Sequence, residues 1–466
     1  MSGTNFLQLH TRDVPRGRRV AWLVSQVRTA LREGRVETGT RMPPTRALAE
    51  ELGVARGTVV EAYRRLTEEG LLTANRGGGT VVSASPAPAA TTTGPISPNP
   101  GEAGAEPDLL DISTGTPDLS AFPRAAWLRA ENTVLSGSGG RALSYAPAQG
   151  SYELRTELSS WLARSRGVLA SPERIIVTGG VTGALSLLAR VLLDRGLGTV
   201  AVEDPGAEGN RRILDHWMAG LVPVPVDREG LVVAELAATG TATVLTTPAH
   251  QFPTGVVLSP ARRRALLAWA RERNGLVIED DYDSEYRYDR RPVRALHGMD
   301  PERVAHVSSL SKTLGPGLRI GWLVAPAHLH EDLVRARWAT DLGSPVLPQL
   351  ALAELLRSGA LERHLRTMRT RHRRRRDAAV RAVAEHLPDA VVEGVAAGIH
   401  LLVLLPGHVD DAELAARARH EGIRVEPLSS MRAAPGPPGV VVSYGTHPPA
   451  RLASAIAVLG GLVKRS

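Results

Sequence analysis

Ser308-Ser309-Leu310-Ser311-Lys312-Thr313-Leu314-Gly315-Pro316-Gly317-Leu318-Arg319-Ile320-Gly321 contains one of only two lysines in a chain with 56 Lys and Arg residues. The other, Lys464, stands close to the C-terminus, where solvation alone accounts for it. A chain that uses arginine for almost every surface charge keeps a lysine at 312 for work that guanidinium cannot do. An ammonium can lose its proton and condense with a carbonyl, whereas guanidinium stays charged. The plain alternative is a stray surface lysine, and the residues around it decide between the two.

Working outward, short apolar runs recur between helical patterns: Ile175–Val177, Thr199–Val202, Val244–Thr246, Leu276–Ile278, Val304–Val307 and Ile320–Val324. Strand and helix in alternation predict a mostly parallel sheet covered by helices. Ligands of such sheets gather at the carboxyl ends of the strands. Polar residues stand at those ends: Thr178-Gly179-Gly180, Glu203-Asp204, Glu279-Asp280-Asp281-Tyr282 and Ser308-Ser309. As chemistry they form one constellation. Lys312 is the amine that condenses with an aldehyde. Asp280, ending an apolar strand, suits a protonated pyridine nitrogen, as an electron-sink cofactor needs. The glycine turn before Val181 and Thr182 opens a helix whose free amides suit a phosphate. Ser309 and Arg319 flank Lys312 and can bind the same anion. A strand-terminal Asp is often only a cap, and a glycine turn before a helix is common. Order and spacing together carry the reading.

The N-terminal segment has a different character. Residues 1–83 hold 13 Arg against 8 Asp and Glu, within a chain of net charge +8. That excess favours a polyanionic partner. Val20–Gly34 reads as a helix with Leu23, Val27 and Leu31 on one face. Leu48, Ala49 and Leu52 mark a second helix. A third starts near Ala55, with Val59, Ala62, Tyr63 and Leu66 inward. Residues 71–82 read as two strands about a glycine tip. Helix, turn, helix and hairpin is the layout of a winged helix-turn-helix, whose second motif helix offers its N-terminal end to DNA. Ser83 to Pro107, rich in Pro, Ala and Thr, reads as a linker spanning ~25–30 Å as a flexible coil. Three parts follow: a DNA-binding head at 1–82, a linker at 83–107 and an α/β body at 108–466. Cysteine is absent, so disulfides and thiolate metal sites are excluded, and no other metal site is expected. With no signal pattern and no apolar run long enough for a bilayer, a cytoplasmic protein without a membrane partner is expected.

Residues 20–82 resemble the GntR-type winged-helix domain, with its Leu-Gly-Val-x-Arg-x-Thr-Val signature at 52–59 and a Gly-rich wing. The resemblance implies DNA contacts at Arg46, Arg56, Thr58, Arg76 and Gly77. Two departures stand out: Ala55 and Gly57 occupy places where hydroxyl residues are usual, so a helix cap is lost. The body, over about 110–460, resembles the fold-type-I aminotransferases that use pyridoxal 5'-phosphate. In their pattern Ser309, Lys312 and Arg319 match Ser-x-x-Lys followed by Arg. The resemblance implies that Asp280 pairs with the pyridine nitrogen and Tyr282 with the ring hydroxyl. It also implies that Tyr145, in Tyr145-Ala146-Pro147-Ala148-Gln149-Gly150, reaches the phosphate of the neighbouring subunit in a homodimer.

Head, linker and body together resemble the MocR family of bacterial transcriptional regulators. Three positions depart from the enzymes. Phe252 stands before Pro253-Thr254-Gly255 in place of the Asn that meets the ring hydroxyl, leaving Gln251 or His250 to substitute. Ala207 replaces the aromatic that stacks on the ring. In Val440-Val441-Val442-Ser443-Tyr444, Val441 replaces the Arg that grips a substrate carboxylate, a contact worth ~1.5–3 kcal/mol. The missing clamp leans toward members that sense pyridoxal phosphate itself and control its synthesis. It leans away from members that add an amino ligand and from a working aminotransferase, for which Arg211 or Arg212 would have to anchor the substrate. The run at Arg369–Arg376 is either a second DNA patch or a solvated helix face, with the solvated face favoured.

Overall fold

The computed structural model describes residues 14–75, 79–83, 109–113, 115, 117–137, 139–140, 144–145, 147–288 and 293–465. The chain divides into two compact units, Met1–Gly104 and Ala105–Ser466. Of the predicted linker only Ser83 falls among the described residues. No helix among them is long and apolar enough to cross a membrane.

In the first unit three helices, α1 (Arg19–Arg32), α2 (Thr45–Glu51) and α3 (Arg56–Glu68), precede a hairpin of β1 (Leu72–Asn75) and β2 (Gly79–Val82). The predicted inward faces meet in one core: Leu23, Val27 and Leu31 against Leu48, Ala49, Leu52, Val59, Ala62, Tyr63 and Leu66. The Tyr63 hydroxyl donates to the Pro43 carbonyl at 2.9 Å, fixing α3 to the turn before α2. That turn does more than the sequence signals. Gly39 and Met42 donate their amides to the Val82 and Thr80 carbonyls at 2.8 Å each, so the segment is bridged to β2 at Arg41 and Val81. Ala55 caps α3 with no side-chain bond, as its missing hydroxyl dictates.

The second unit is built on an eight-stranded sheet: β3 (Ile175–Thr178), β4 (Thr199–Asp204), β5 (Gly220–Asp227), β6 (Gly230–Leu231), β7 (Thr243–Thr246), β8 (Leu276–Asp280), β9 (Val304–Ser309) and β10 (Gly321–Val324). Their order across the sheet is β3-β10-β9-β8-β7-β4-β5-β6. The neighbours from β9 through β5 are parallel, and β10 is antiparallel to both β9 and β3. All six predicted runs are strands. Helices cover both faces, which is why these strands are nearly continuous Val, Ile and Leu rather than alternating. The β10 register pairs Gly321 with Ser309 on one side and with Thr178 on the other. The carboxyl ends of β3 and β9 therefore meet at one place, on either side of the start of β10. Helix α4 (Gly180–Asp194) leaves β3 there, and α5 (Glu208–Trp217) follows β4.

A long helix, α6 (Ala360–His386), leads to a smaller antiparallel sheet of β11 (Val391–Glu393), β12 (His400–Leu404), β13 (Glu426–Pro427) and β14 (Gly439–Ser443), ordered β11-β12-β14-β13. The arginine run on α6 divides between an inward and an exposed side. Arg375 is buried and donates to Asp118 at 2.7 Å, and Arg371 lies 3.2 Å from the same carboxylate. Arg369 and Arg373 donate to the carbonyls of Glu285 and Tyr288 at 2.7 and 2.6 Å. Arg375 and Arg369 tie α6 to Asp118 and to the segment after β8, while Arg371, Arg373 and Arg374 are exposed, in keeping with the favoured solvated face.

Candidate functional site

A cavity of about 350 Å³ opens at the carboxyl edge of the large sheet. Lys312, Asp280, Tyr282, Ser309, Arg319, Val181 and Thr182 all line it, so seven of the eight predicted cofactor residues come together. Tyr145 does not. It is 87% exposed, beside Tyr152 in a different cleft.

Each side chain is placed by the strand that ends beneath it. The acidic run after β8 shows why only one carboxylate serves the cavity. Glu279 accepts the amides of Leu296 and His297 at 2.7 and 3.1 Å. Burial pushes its carboxyl up, but the His306 ring and those amides outweigh it and hold it at about 2. Asp281 takes a two-pronged bond from buried Arg166, at 2.5 and 2.8 Å. Asp283 pairs with His250 at 2.9 Å. Asp280 alone keeps an oxygen without a partner: Asn210 of α5 donates to Oδ2 at 2.8 Å, and buried Oδ1 has none. Burial pushes the Asp280 carboxyl up to about 7, against the bond from Asn210. A buried orphan oxygen on an acid is where a ligand N–H belongs.

Asp280 also makes the empty cavity sensitive to pH. Its folded value lies above that of a free carboxylate, so between about pH 4 and 7 the folded chain binds more protons than the unfolded one. Stability from this group is therefore present at low pH and declines as pH rises through that window, by up to roughly 4 kcal/mol at about 1.4 kcal/mol per pH unit. Asp280→Asn is expected to raise the melting temperature of the cofactor-free protein at pH 8 relative to wild type, with the gap closing toward pH 5. Parallel melting curves at all pH values would contradict it.

Lys312 donates from Nζ to the Gly115 carbonyl, and burial lowers its pKa from the usual lysine value. That favours the neutral, nucleophilic amine. Gly115 has φ +109, and a Cβ there would lie 2.9 Å from Nζ, so only glycine lets the chain come this close. At the other end, Arg319 donates to the Gly179 carbonyl beneath the first turn of α4. A Cβ placed on Gly180 would lie 3.6 Å from Arg319 Nη1 and 3.8 Å from Ser311 Oγ, so guanidinium, hydroxyl and helix amides converge on one spot. Such a grouping suits an anion. The Ser309 hydroxyl accepts the Ser311 amide at 3.3 Å and shapes the loop that presents them.

The departures resolve as follows. Neither Gln251 nor His250 lines the cavity, which corrects both as substitutes for the missing Asn. Gln251 spends its amide on the Pro205 carbonyl at 2.9 Å and accepts from the Thr254 hydroxyl at 2.6 Å, holding the turn after β7. His250 is engaged by Asp283 and by the Tyr282 hydroxyl at 3.1 Å. Ala207 does line the cavity, with no ring to offer. Val441 is fully buried on the face of β14 that meets Phe252, Leu402 and Met431. Arg211 is bound to Asp204 at 2.9 Å and Arg212 to Glu208 at 2.5 Å, and neither lines the cavity. Lys312 and Arg319 are its only cations among the described residues. Sequence reasoning missed Asn210, Gly115, His400 and Glu426, which also line it. None sits in a motif, and each arrives from an element whose pairing the chain does not announce.

In the first unit Arg46 and Arg56 are exposed, with no ion pair among the described residues, and Thr58 is half-buried on the first turn of α3. Other arginines of this unit are tied down: Arg28 to Glu69, Arg64 and Arg65 to Glu61. Arg76 and Gly77 lie outside the described residues.

Residues 107–459 match the aminotransferase class I and II family, and residues 21–82 match the bacterial regulatory proteins of the gntR family. The chain is 32% identical to the probable rhizopine catabolism regulatory protein MocR of Rhizobium meliloti, over 95% of this chain and 93% of that protein. It is 34% identical to the pyridoxine biosynthesis transcriptional regulator PdxR of Corynebacterium glutamicum, over 91% of each. Among solved structures, an archaeal alanine:glyoxylate aminotransferase superposes with a TM-score of 0.71 at 30% identity, covering 77% of this chain and 91% of that one.

Proposed function

Since the chain belongs to the MocR family of transcriptional regulators, a gntR-type head joined to an aminotransferase-type body, we propose that it binds operator DNA under the control of pyridoxal 5'-phosphate. The genes we assign to it are those of pyridoxal phosphate synthesis, by likeness to the pyridoxine biosynthesis regulator. The observation that carries the reading is the cavity's asymmetry. An amine, a buried carboxylate and a guanidinium suited to the cofactor line the cavity, and the clamp for a substrate carboxylate is replaced by a buried valine.

When bound, the cofactor supplies an aldehyde for an amine and a pyridine ring able to accept electrons. The residues fit it: Lys312 offers the amine, the orphan Oδ1 of Asp280 accepts an N–H, and Arg319 with the first turn of α4 takes a phosphate. Exposed Tyr145 supports a homodimer in which each subunit completes the other's phosphate site. Cofactor binding shifts the body between states only by its differential affinity for them. The deciding experiment is operator binding by the full chain with and without pyridoxal phosphate, where an unchanged affinity rejects the sensor. We place the protein in the cytoplasm, with its DNA.

The head is assigned to operator DNA through Arg46, Arg56 and Thr58. Arg56 stands exposed on the first turn of α3, which holds no acidic residue. Arg56→Ala is expected to cost ~1–3 kcal/mol and to relax specificity at one base pair. Wild-type affinity should also fall steeply with salt, as phosphate contacts release counterions. Equal binding of operator and random DNA by the full-length protein refutes the assignment.

A further inference from the structure

The Lys312 amine donates to the Gly115 carbonyl, and Gly115 itself lines the cavity. Gly115 stands early in the second unit, where the chain arrives from the linker. Its surroundings are anchored on both sides. Toward the linker, Leu110–Asp111 pairs in parallel with Ile423–Arg424, and Ser443 of β14 donates its amide to the Ile112 carbonyl at 2.8 Å. Ile112 is fully buried in the core of the smaller sheet, with Leu401, Val403, Val440 and Val442. On the other side, Asp118 is held by Arg375 at 2.7 Å and by Arg371 at 3.2 Å. Between these anchors the Ser113 amide and hydroxyl turn back to Asp111, at 2.8 and 2.5 Å. Among the described residues of this stretch, Gly115 alone is hydrogen-bonded to the loop after β9, through Lys312.

This bond and the chemistry of Lys312 exclude one another. When a neutral amine condenses with an aldehyde, a C=N bond forms, the C=O bond breaks, and the oxygen leaves as water with both amine hydrogens. The nitrogen that remains can regain one hydrogen at most, fixed in the plane of the double bond. The free amine, by contrast, turns about the last bond of its side chain to reach Gly115. Condensation therefore takes the donor from the Gly115 carbonyl, and an unmet main-chain carbonyl is driven to find water. The chain can answer there: Gly115, at φ +109, has a backbone freedom that other residues lack. A ligand with the same ring and phosphate but an alcohol in place of the aldehyde cannot condense, and leaves the amine its hydrogens.

We propose that the Lys312–Gly115 hydrogen bond is a latch that tells condensation from mere occupancy. It holds the entrance of the body to the cavity while the amine is free and opens when the amine condenses, so that the body answers the aldehyde and ignores the matching alcohol. The proposal rests on the reading of the cavity as a cofactor site.

The test follows amide hydrogen exchange over residues 109–118 in the full-length protein, alone, with pyridoxal phosphate and with pyridoxine phosphate, its alcohol counterpart. In wild type, pyridoxal phosphate is expected to speed exchange in this stretch by about 2- to 10-fold, the worth of one such hydrogen bond. Pyridoxine phosphate is expected to leave it unchanged. Lys312→Met removes the donor without any ligand, so the stretch should exchange at the fast rate under all three conditions. Exchange along α4 controls for the fold of the variant. If Lys312→Met loosens α4 as well, the two ligands on wild type decide, and if pyridoxine phosphate fails to bind, the variant decides. Equal exchange with the two bound ligands, no change with pyridoxal phosphate, or a folded Lys312→Met protein as slow as free wild type overturns the latch. Failure of the cofactor reading is separate: wild type would then show no Lys312-dependent absorbance band at all.

Discussion

Lys312→Ala is expected to abolish the absorbance band near the visible edge that pyridoxal phosphate gives on mixing with the full-length protein. The loss should be complete, because the only other lysine is Lys464, outside the cavity near the C-terminus. Burial lowers the Lys312 pKa, so a larger share of the amine is neutral than in a solvated lysine. The Gly115 carbonyl holds Nζ inside the cavity. Lys464→Ala is the control and should leave the band intact. A band that survives in Lys312→Ala removes the assignment. Arg319→Ala should keep the band but demand more cofactor to reach it, since the proposed phosphate site loses its only guanidinium among the described lining residues. An unaltered affinity would take Arg319 out of that site. Its melting curve should stay near that of wild type, because the bond it gives up is to one carbonyl at a loop.

Much of this was legible in the chain. The strand runs were Val- and Ile-rich enough to be read, and the ends of β3, β8 and β9 carried the polar residues that meet at the cavity. Lys312 stood out because lysine is so rare here. What stayed hidden depends on pairing across long stretches of sequence. Asn210 reaches Asp280 from 70 residues away, through the placement of α5 beside the end of β8. His400 reads as one polar residue in an apolar strand until β12 packs on Pro253 and Asp283. The same limit applies to Gln251 and His250. Their nearness in sequence to Phe252 suggested a substitute for the missing amide, but both side chains turn away to satisfy buried carboxylates. The arginine run on α6 read as solvated charge, which Arg371, Arg373 and Arg374 are, but sequence cannot show Asp118 and the Glu285 carbonyl waiting for Arg375 and Arg369.

Incubated with a panel of amino acids, the cofactor-loaded protein is expected to convert to the pyridoxamine form far more slowly than the ~1 s⁻¹ at the low end of enzyme turnover. Transamination needs the substrate amine held against the cofactor in a fixed geometry, which requires a second anchor. Among the described residues none is in place: Val441 is buried, Arg211 is bound to Asp204, and Arg212 to Glu208. Turnover at enzymatic rates would overturn the regulator reading of the body. The structure also says what restoring the anchor takes. Position 441 pairs across β13 with Glu426, so an arginine introduced there meets a carboxylate before any substrate arrives. Val441→Arg alone is therefore expected to gain little, its guanidinium neutralised in place. Val441→Arg with Glu426→Gln frees the charge and should show measurable half-transamination of alanine or aspartate, at least tenfold above the single variant for the ~1.4 kcal/mol or more that a freed carboxylate contact contributes. Equal rates in the single and double variants, with both folded by their melting curves, would mean that Glu426 does not govern this end of the cavity.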